Sequence, residues 1–357
     1  MHPDDLSRMK NPDKEDTRHK APAGRKRVGR RHVAGGAVEE IVTPRRRWWP
    51  RTRLAWTAAV LGVVVIVMIG LAGGYLWLLS SRINHVNVAF PSSDEGTTWV
   101  LVGSDSRSSV PGGPDFYSPS PGSHADAIIV IHIDRSKTTI LSIPRDTIVS
   151  PTPDSVSRLT LTLDEGPQYL VDGLCRTLHI PATRLVIITM KAFAGAVDSL
   201  GGVTVYNPAP IRDRYSGLNI PQTGDVHLGG LQLLALARSR HPQTLTASGW
   251  LQTQLSQGAQ DRTLNVGVAF KALAAKARSA RSAPFQLLGL AWAVTGGLTT
   301  DQNTGLFNLL NLPLDTSKVE DLPVDILGPD ALAATIDKAT ETTLQEAGYT
   351  QTCQTDG

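Results

Sequence analysis

The sequence predicts an α/β body, a mixed central β-sheet flanked by helices, carried behind a single transmembrane helix. Two observations predict it. Residues 54–81 form a run of 28 residues without a charge, between Arg53 and Arg82. From residue 99 onward, short apolar runs of β character alternate with helical ones, the pattern of a sheet covered by helices. Length agrees, since 357 residues suggest two or three separable parts. Composition is 41% hydrophobic and 19% charged, which excludes wholesale disorder. The net charge of +3 averages two unlike halves: residues 1–53 hold 15 Lys and Arg against 7 Asp and Glu, the remainder 20 against 25. A basic head on a mildly acidic body argues against a nucleic-acid enzyme, whose body should be basic.

The first part, residues 1–53, mixes Pro, Gly, Asp and Glu with its basic residues and has no apolar periodicity, so it reads as a disordered tail. Its RKRVGRRH stretch at 25–32 suits anionic lipid. Residues 54–79 are long enough to cross a hydrocarbon core of about 30 Å. Trp48, Trp49, Trp56, Tyr75 and Trp77 lie at or near the two ends, where aromatic belts sit. RRRWWPRTR before the run and a single Arg after it place the N-terminus in the cytoplasm and the body outside. A cleaved signal peptide has a short leader and a 7–15-residue apolar core, whereas 53 residues precede this run, so a signal anchor is expected. A polar linker fills 80–98, the folded body occupies 99–325, and 326–357 are expected to hold a C-terminal helix and tail.

Within the body, WVLVG (99–103) is an expected strand, and the Pro-, Gly- and Ser-rich stretch 104–126 a loop. AIIVIHID (127–134) and TTILSI (138–143) are strands joined by DRSK as a hairpin, closed by Pro144. The segment 158–180 is expected to turn helical after Gly166-Pro167. Then follow a strand at 183–190, a helix at 192–202 and a strand at 203–206. Helices are expected at 227–241, up to its arginine pair, and at 261–280, and a Leu-rich helical run leads to VEDLPVD at 319–325.

Open α/β sheets bind ligands beyond strand ends, and charged residues collect there. Asp105 and Arg107 follow the first strand, Asp126 precedes the second, and Arg145 and Asp146 follow the third. Arg238 and Arg240 end the Leu-rich helix. Two residues span about 200° of helix, so these two arginines share a face only where the backbone leaves the helix. Several arginines with carboxylates suit an anionic diphosphate and a hard cation: Arg grips phosphate in a bidentate fork, and Asp supplies the oxygen that Mg²⁺ prefers.

GSDSR, HADAIIVIHIDRSKTTILSIPRDTIV, EGPQYLVDGLCRTLHIP, FAGAVDSLGGVTVYNP and HLGGLQLLALARSRH occur in this order. Over about residues 99–325 this set resembles the LytR-CpsA-Psr family of cell-wall ligases, which carry the same N-terminal anchor. The resemblance implies the LytR-CpsA-Psr fold and a Mg²⁺-assisted phosphotransfer of a glycopolymer from an undecaprenyl-diphosphate carrier onto a peptidoglycan acceptor, possible pyrophosphatase activity included. The partners it implies are that lipid-linked glycopolymer, peptidoglycan and the lipid membrane, with no nucleic acid. It also implies that Asp105 and Asp126 serve the metal and that Arg145, Arg238 and Arg240 grip the diphosphate. Arg107, Asp146, Gln232 and Arg262 are expected to bind substrate. Departures from the family pattern are local. His124-Ala125-Asp126 stands where the family has Arg-Ser-Asp, and Arg158-Leu159-Thr160 where it has Lys-Ile-Asn. Leu231 and Leu236 replace a charged residue and a Tyr, and Gly258, Ala259, Arg262 and Thr263 are what remains of a Gly-Arg-x-x-Arg-Gln stretch. The arginine missing at His124 is the feature that favours an alternative, a non-catalytic receptor or scaffold for polyprenyl phosphates.

Two cysteines, Cys175 and Cys353, allow at most one disulfide. Both are expected outside the membrane, where a bridge can form, yet the apolar helix face of Leu170, Leu174 and Leu178 suits a buried Cys175 thiol equally. The histidines of the body show no metal spacing, and most are expected at the surface. The apolar faces of 167–178 and 192–200 are expected either to line a prenyl slot or to be ordinary core.

Overall fold

The computed structural model describes residues 49–92, 96–105, 123–134, 137–312, 319–328, 333–349 and 353. Arg107, the tail before residue 49 and the hairpin turn at 135–136 lie outside the described residues. The chain divides into two units, Met1–Gly62 and Val63–Gly357. A helix runs over Trp49–Ser80. It is the one helix among the described residues long and apolar enough to cross a membrane, over Thr52–Ser80. Leu54, Leu61, Ile66, Ile69 and Leu71 are exposed along it, as a helix surface that meets lipid requires.

A seven-stranded mixed sheet forms the centre of the second unit. Its order is Asn84–Val86, Leu298–Asp301, Arg184–Thr189, Thr97–Ser104, Ala125–Ile133, Thr138–Ile143, Val319–Asp321. Thr97–Ser104, Ala125–Ile133 and Thr138–Ile143 run antiparallel in succession, and Arg184–Thr189 and Val319–Asp321 add in parallel on either side of them. Alternation sends successive side chains to opposite faces. Trp99, Ile129, Ile131 and Ile140 enter one core with Val197, Leu233, Val266 and Ala269. Val100, Val102, Ile128, Val130, Leu141 and Ile143 enter the other with Leu170, Val171, Leu174 and Leu178. Two covered faces explain why the strands read as near-continuous apolar runs.

This antiparallel order decides where the chemistry can lie. The first of the three strands ends, the second begins and the third ends at the same edge of the sheet. Asp105, Asp126 and the Arg145–Asp146 turn are therefore neighbours, though up to 41 positions separate them in the sequence.

Backbone hydrogen bonds then lock each segment. The helix Leu159–Glu165 begins with N–H groups that lack partners inside it; the Leu159 N–H bonds the Thr147 carbonyl at 2.8 Å and the Thr160 N–H the Arg145 carbonyl at 2.8 Å. The Asp146 carbonyl accepts the Ala334 N–H at 2.9 Å. The helix Gly230–Arg238 starts where the Asp198 carboxylate accepts the Gly230 N–H at 2.7 Å, the favoured place for a negative charge. A Cβ at Gly230 would collide with the Ala194 carbonyl, so only glycine allows this approach. The helix stops at Ser239, whose backbone is extended at φ −64°, ψ 124°. Buried Asp213 fixes this exit: its carboxylate accepts N–H bonds from Tyr215, Ser216, Arg240 and His241 and the Ser239 hydroxyl, at 2.8 to 3.4 Å. A Cβ at Gly258 would collide with the Arg240 carbonyl.

Several sequence expectations are corrected. Residues 159–165 are helical before Gly166, because the turn at Arg145–Thr147 supplies acceptors for the helix start. His227 belongs to the strand Gly224–Leu228, paired with Val203–Asn207, and the helix begins only at Gly230. The long helix starts at Leu255 rather than 261. Val319–Asp321 is an edge strand of the sheet, not the end of a helix. His132 is buried, bonded to the Thr98 hydroxyl at 3.0 Å. The faces of Pro167–Leu178 and Met190–Ser199 are core. The alternatives for the cysteines resolve to a bridge: Cys175 and Cys353 are joined, with Cα atoms 5.2 Å apart across 178 positions.

Asp213→Ala is expected to cost about 2–4 kcal/mol of stability, since it leaves several buried donors without an acceptor; urea denaturation checks this. Burial pushes the Asp213 carboxyl up, but its hydrogen bonds to His241, Ser239, Tyr215 and Ser216 outweigh that and hold it below the ordinary value. Its stabilisation is therefore present above about pH 4, the unfolded value, and lost as pH falls through the lower folded value. Asp213→Asn is expected to flatten the acid limb of the stability–pH profile. Cys353→Ser is expected to destabilise the fold by about 2–5 kcal/mol, and alkylation of the unreduced, denatured chain should find no free thiol.

Candidate active site

Five arginines converge on two carboxylates at this sheet edge. Asp126 accepts a hydrogen bond from Arg145 Nη1 through Oδ1. Arg262 Nη2 reaches the same oxygen at 3.1 Å and the Asp126 carbonyl at 2.9 Å, and Arg238 Nε lies 3.8 Å from Oδ2. Asp146 receives Arg240 Nη2 at 2.8 Å, with Arg145 Nε and Arg158 Nη1 each 3.7 Å away. The turn carries Arg145 and Asp146, the exit of the Gly230–Arg238 helix carries Arg238 and Arg240, and the helix Leu255–Ser279 carries Arg262.

Electrostatics follow from this crowding. Burial pushes the Asp126 carboxyl up, and Arg262, Arg145 and Arg238 more than reverse it, so it titrates below the usual carboxylate range. Arg262 is pulled down to about 9, first by burial and then by Arg145, which leaves it charged at neutral pH. Arg240 is lowered too, chiefly by burial. Among the described residues Arg145 Nε and Arg262 Nε and Nη1 are buried without a hydrogen-bond partner, as is one acceptor, Asp146 Oδ1. Buried charged donors without acceptors are costly, and an anion with several oxygens would satisfy them.

A second cluster adjoins the first. The Asp105 carboxylate accepts the His124 N–H at 2.9 Å and lies 3.4 Å from its Nδ1. His124 Nε2 lies 3.2 Å from Asp164, which also accepts the Ser123 N–H at 2.6 Å. His124 thus occupies the space between two carboxylates. Asp105 and Asp126 are hard oxygen donors on neighbouring strand ends, and Mg²⁺ commonly uses one or two carboxylates together with substrate phosphates. Among the described residues no cluster of three or more His, Cys, Asp or Glu could hold a metal on its own.

A cavity of about 310 Å³ opens beside the arginines. Asp126, Arg145, Asp146 and Arg262 form its polar wall, while Ile128, Ile143, Val266, Leu322, Val324 and Ile326 contribute apolar surface.

Of the residues expected from sequence, the structure brings together Asp126, Arg145, Asp146, Arg238, Arg240 and Arg262, with Asp105 adjoining through His124. Gln232 is turned elsewhere: its amide accepts the Asn219 N–H at 3.2 Å and donates to the Gly217 carbonyl at 3.5 Å. Arg107 lies outside the described residues. Sequence reasoning missed Arg158 as a member of the cluster, having noted it only as a departure. It also missed Asp164, Asp198 and Asp213, which act through backbone N–H groups or a histidine distant in sequence and leave no local pattern.

Comparison with known proteins agrees with this geometry. The LytR_cpsA_psr family model matches residues 80–254. The solved LytR-Csp2A-Psr enzyme from Actinomyces oris is 33% identical, with a TM-score of 0.64, over 75% of this chain and 97% of that one. The probable cell wall biosynthesis protein LcpB of Corynebacterium glutamicum is 28% identical over 74% of this chain and 62% of its own length. The polyisoprenyl-teichoic acid–peptidoglycan teichoic acid transferase TagU of Bacillus subtilis is 28% identical over 55% of this chain and 64% of its own. This chain thus spans less than two thirds of either curated relative. With its mixed sheet, its strand-end arginines and 33% identity to nearly the whole of a solved member, the chain belongs to the LytR-CpsA-Psr family.

Proposed function

We propose that this protein is a membrane-anchored phosphotransferase, its body outside the cytoplasm, that moves a glycopolymer from an undecaprenyl-diphosphate carrier onto peptidoglycan. The observation that supports this best is the excess of guanidinium groups, one buried and four half-buried, over the two carboxylates they meet, with donor atoms at Arg145 and Arg262 left without a hydrogen bond among the described residues, beside a cavity with much apolar lining. A diphosphate would satisfy the donors, and the first isoprene units would lie on Ala127, Val324 and Ile326, which line the cavity and are partly exposed.

Outside the membrane the donor must already be activated, and a lipid diphosphate is. An acceptor hydroxyl oxygen forms a bond to the sugar-side phosphorus while that phosphorus separates from the bridging oxygen. The bonding pair leaves with undecaprenyl phosphate. Arg145, Arg238, Arg240 and Arg262 bind the phosphoryl oxygens and stabilise the charge that grows on them. The hydroxyl proton passes to one of the two carboxylates, Asp105 or Asp126. Bound by Asp105 and Asp126, Mg²⁺ would supply further charge neutralisation on the phosphoryl oxygens. A second reading, a receptor that holds the lipid without turnover, is favoured by His124 alone, which stands between Asp105 and Asp164 where the family has arginine.

The test is release of phosphate, or glycan transfer, from a prenyl diphosphate by the full chain in detergent with Mg²⁺. Turnover is expected; lipid binding without it, restored by His124→Arg, would establish the receptor instead. Arg145→Ala is expected to lose about 2–4 kcal/mol of transition-state stabilisation. Arg145→Lys should recover little, because a point charge cannot replace the planar fork. Asp105→Asn should abolish activity together with its Mg²⁺ dependence. Lys137→Ala, at the far end of the same strands, should leave turnover within about twofold.

A further inference from the structure

The helix Pro284–Thr295, PFQLLGLAWAVT, is uncharged and has a use that the arginine cluster does not give it. One face packs on the helix Met190–Ser199, where Gly195 faces Ala293 and Gly289 faces Ser199. Phe285, Leu288 and Trp292 point outward at 87%, 45% and 44% exposure. Their spacing of three and four residues puts them on one stripe. A stripe of large exposed apolar residues is a contact surface, and the structure indicates for what. The Tyr75 hydroxyl donates to the Leu288 carbonyl at 2.8 Å, and the Arg82 guanidinium lies 3.9 Å over the Trp292 ring. Tyr75 belongs to the aromatic belt at the end of the long apolar helix, and Arg82 is the first charge beyond it. Passing from Arg82 to Tyr75 approaches the bilayer, and passing from Trp292 to Leu288 follows the same direction. One more turn carries Phe285 deeper still. Charge supports the same placement. Between Arg262 and Asp301 the chain has no acidic residue but has Lys271, Lys276, Arg278 and Arg281, although residues 54–357 carry 20 basic against 25 acidic residues. Basic residues beside an apolar helix face are the composition of an interfacial membrane helix.

We infer that Pro284–Thr295 is a second membrane contact, lying in the headgroup region beside the spanning helix with Phe285 and Leu288 in the acyl boundary and Arg278 and Arg281 at anionic headgroups. It rests on the reading that Trp49–Ser80 crosses the bilayer. The body is then held at two points and cannot swivel freely about Arg82, which fixes the height of its sheet edge above the lipid.

The test uses the full chain reconstituted in phosphatidylcholine vesicles containing phosphatidylglycerol. With Cys175 and Cys353 bridged, a thiol-reactive fluorophore labels Phe285→Cys alone. A control label goes to Tyr206→Cys, a position 72% exposed. The label at 285 is expected to be quenched by nitroxide-bearing lipid and to be roughly fivefold less accessible to iodide than the label at 206, as burial in the acyl boundary requires. Equal iodide access at both positions would overturn the inference while leaving the anchor intact. Crosslinking of two 285 positions would also overturn it, in favour of a second copy as occupant. Failure of the chain to enter vesicles at all would overturn the anchor reading and this one together.

Discussion

A carboxylate buried at the edge of a sheet is costly unless cations surround it, and the structure of this protein is organised around that constraint at Asp126. Arg145, Arg238 and Arg262 meet it from three segments, and Arg240 and Arg158 reach its companion Asp146. The arrangement overshoots. Five guanidinium groups face two carboxylates, they repel one another, and buried N–H groups on Arg145 and Arg262 stay unbonded. A site made only for stability would balance its charges. The surplus is stored positive potential, which under the proposed function a diphosphate would relieve.

The segments that carry these arginines are positioned through their backbone. The antiparallel run of three strands brings Asp105, Asp126 and Arg145 to one edge. The helix at Leu159 takes its first acceptors from the Arg145–Thr147 turn. Asp213 collects the backbone as it leaves the helix after Arg238, so that Arg238 and Arg240 can serve one site despite a spacing that would separate them on a helix. A planar guanidinium fork matches phosphate geometry, and under the proposed function these anchors would hold the forks in position.

The four central strands of the sheet were legible in the sequence because they are buried on both faces: AIIVIHID and TTILSI could be little else, and the charges bounding them marked the edge, whereas the short strands Asn84–Val86 and Val319–Asp321 fell in the expected linker and at the end of an expected helix. The condition that the backbone must leave the helix at Arg238 could also be stated from helical geometry alone. What could not be read were the partners acting over distance. Asp213 lies 27 positions before Arg240, Asp198 lies 32 before Gly230, and nothing near either residue marks it as an anchor. Leu159–Glu165 was illegible for the same reason, since its start depends on carbonyls donated by another segment. The bridge from Cys175 to Cys353 spans 178 positions, and an apolar helix face was compatible with a thiol as much as with a bridge. Gln232 shows the opposite failure: a family pattern pointed to the site, while the side chain here closes the backbone at Gly217 and Asn219.

The central claim is that the arginine cluster is a diphosphate site. Its most direct test is ³¹P NMR of a short-chain prenyl diphosphate titrated with the full-length protein in detergent. Saturable shifts of both phosphorus resonances, at one ligand per chain and strongly weakened in Arg145→Ala, are the predicted result. Resonances that do not respond to the protein, or that respond equally to Arg145→Ala, would contradict it.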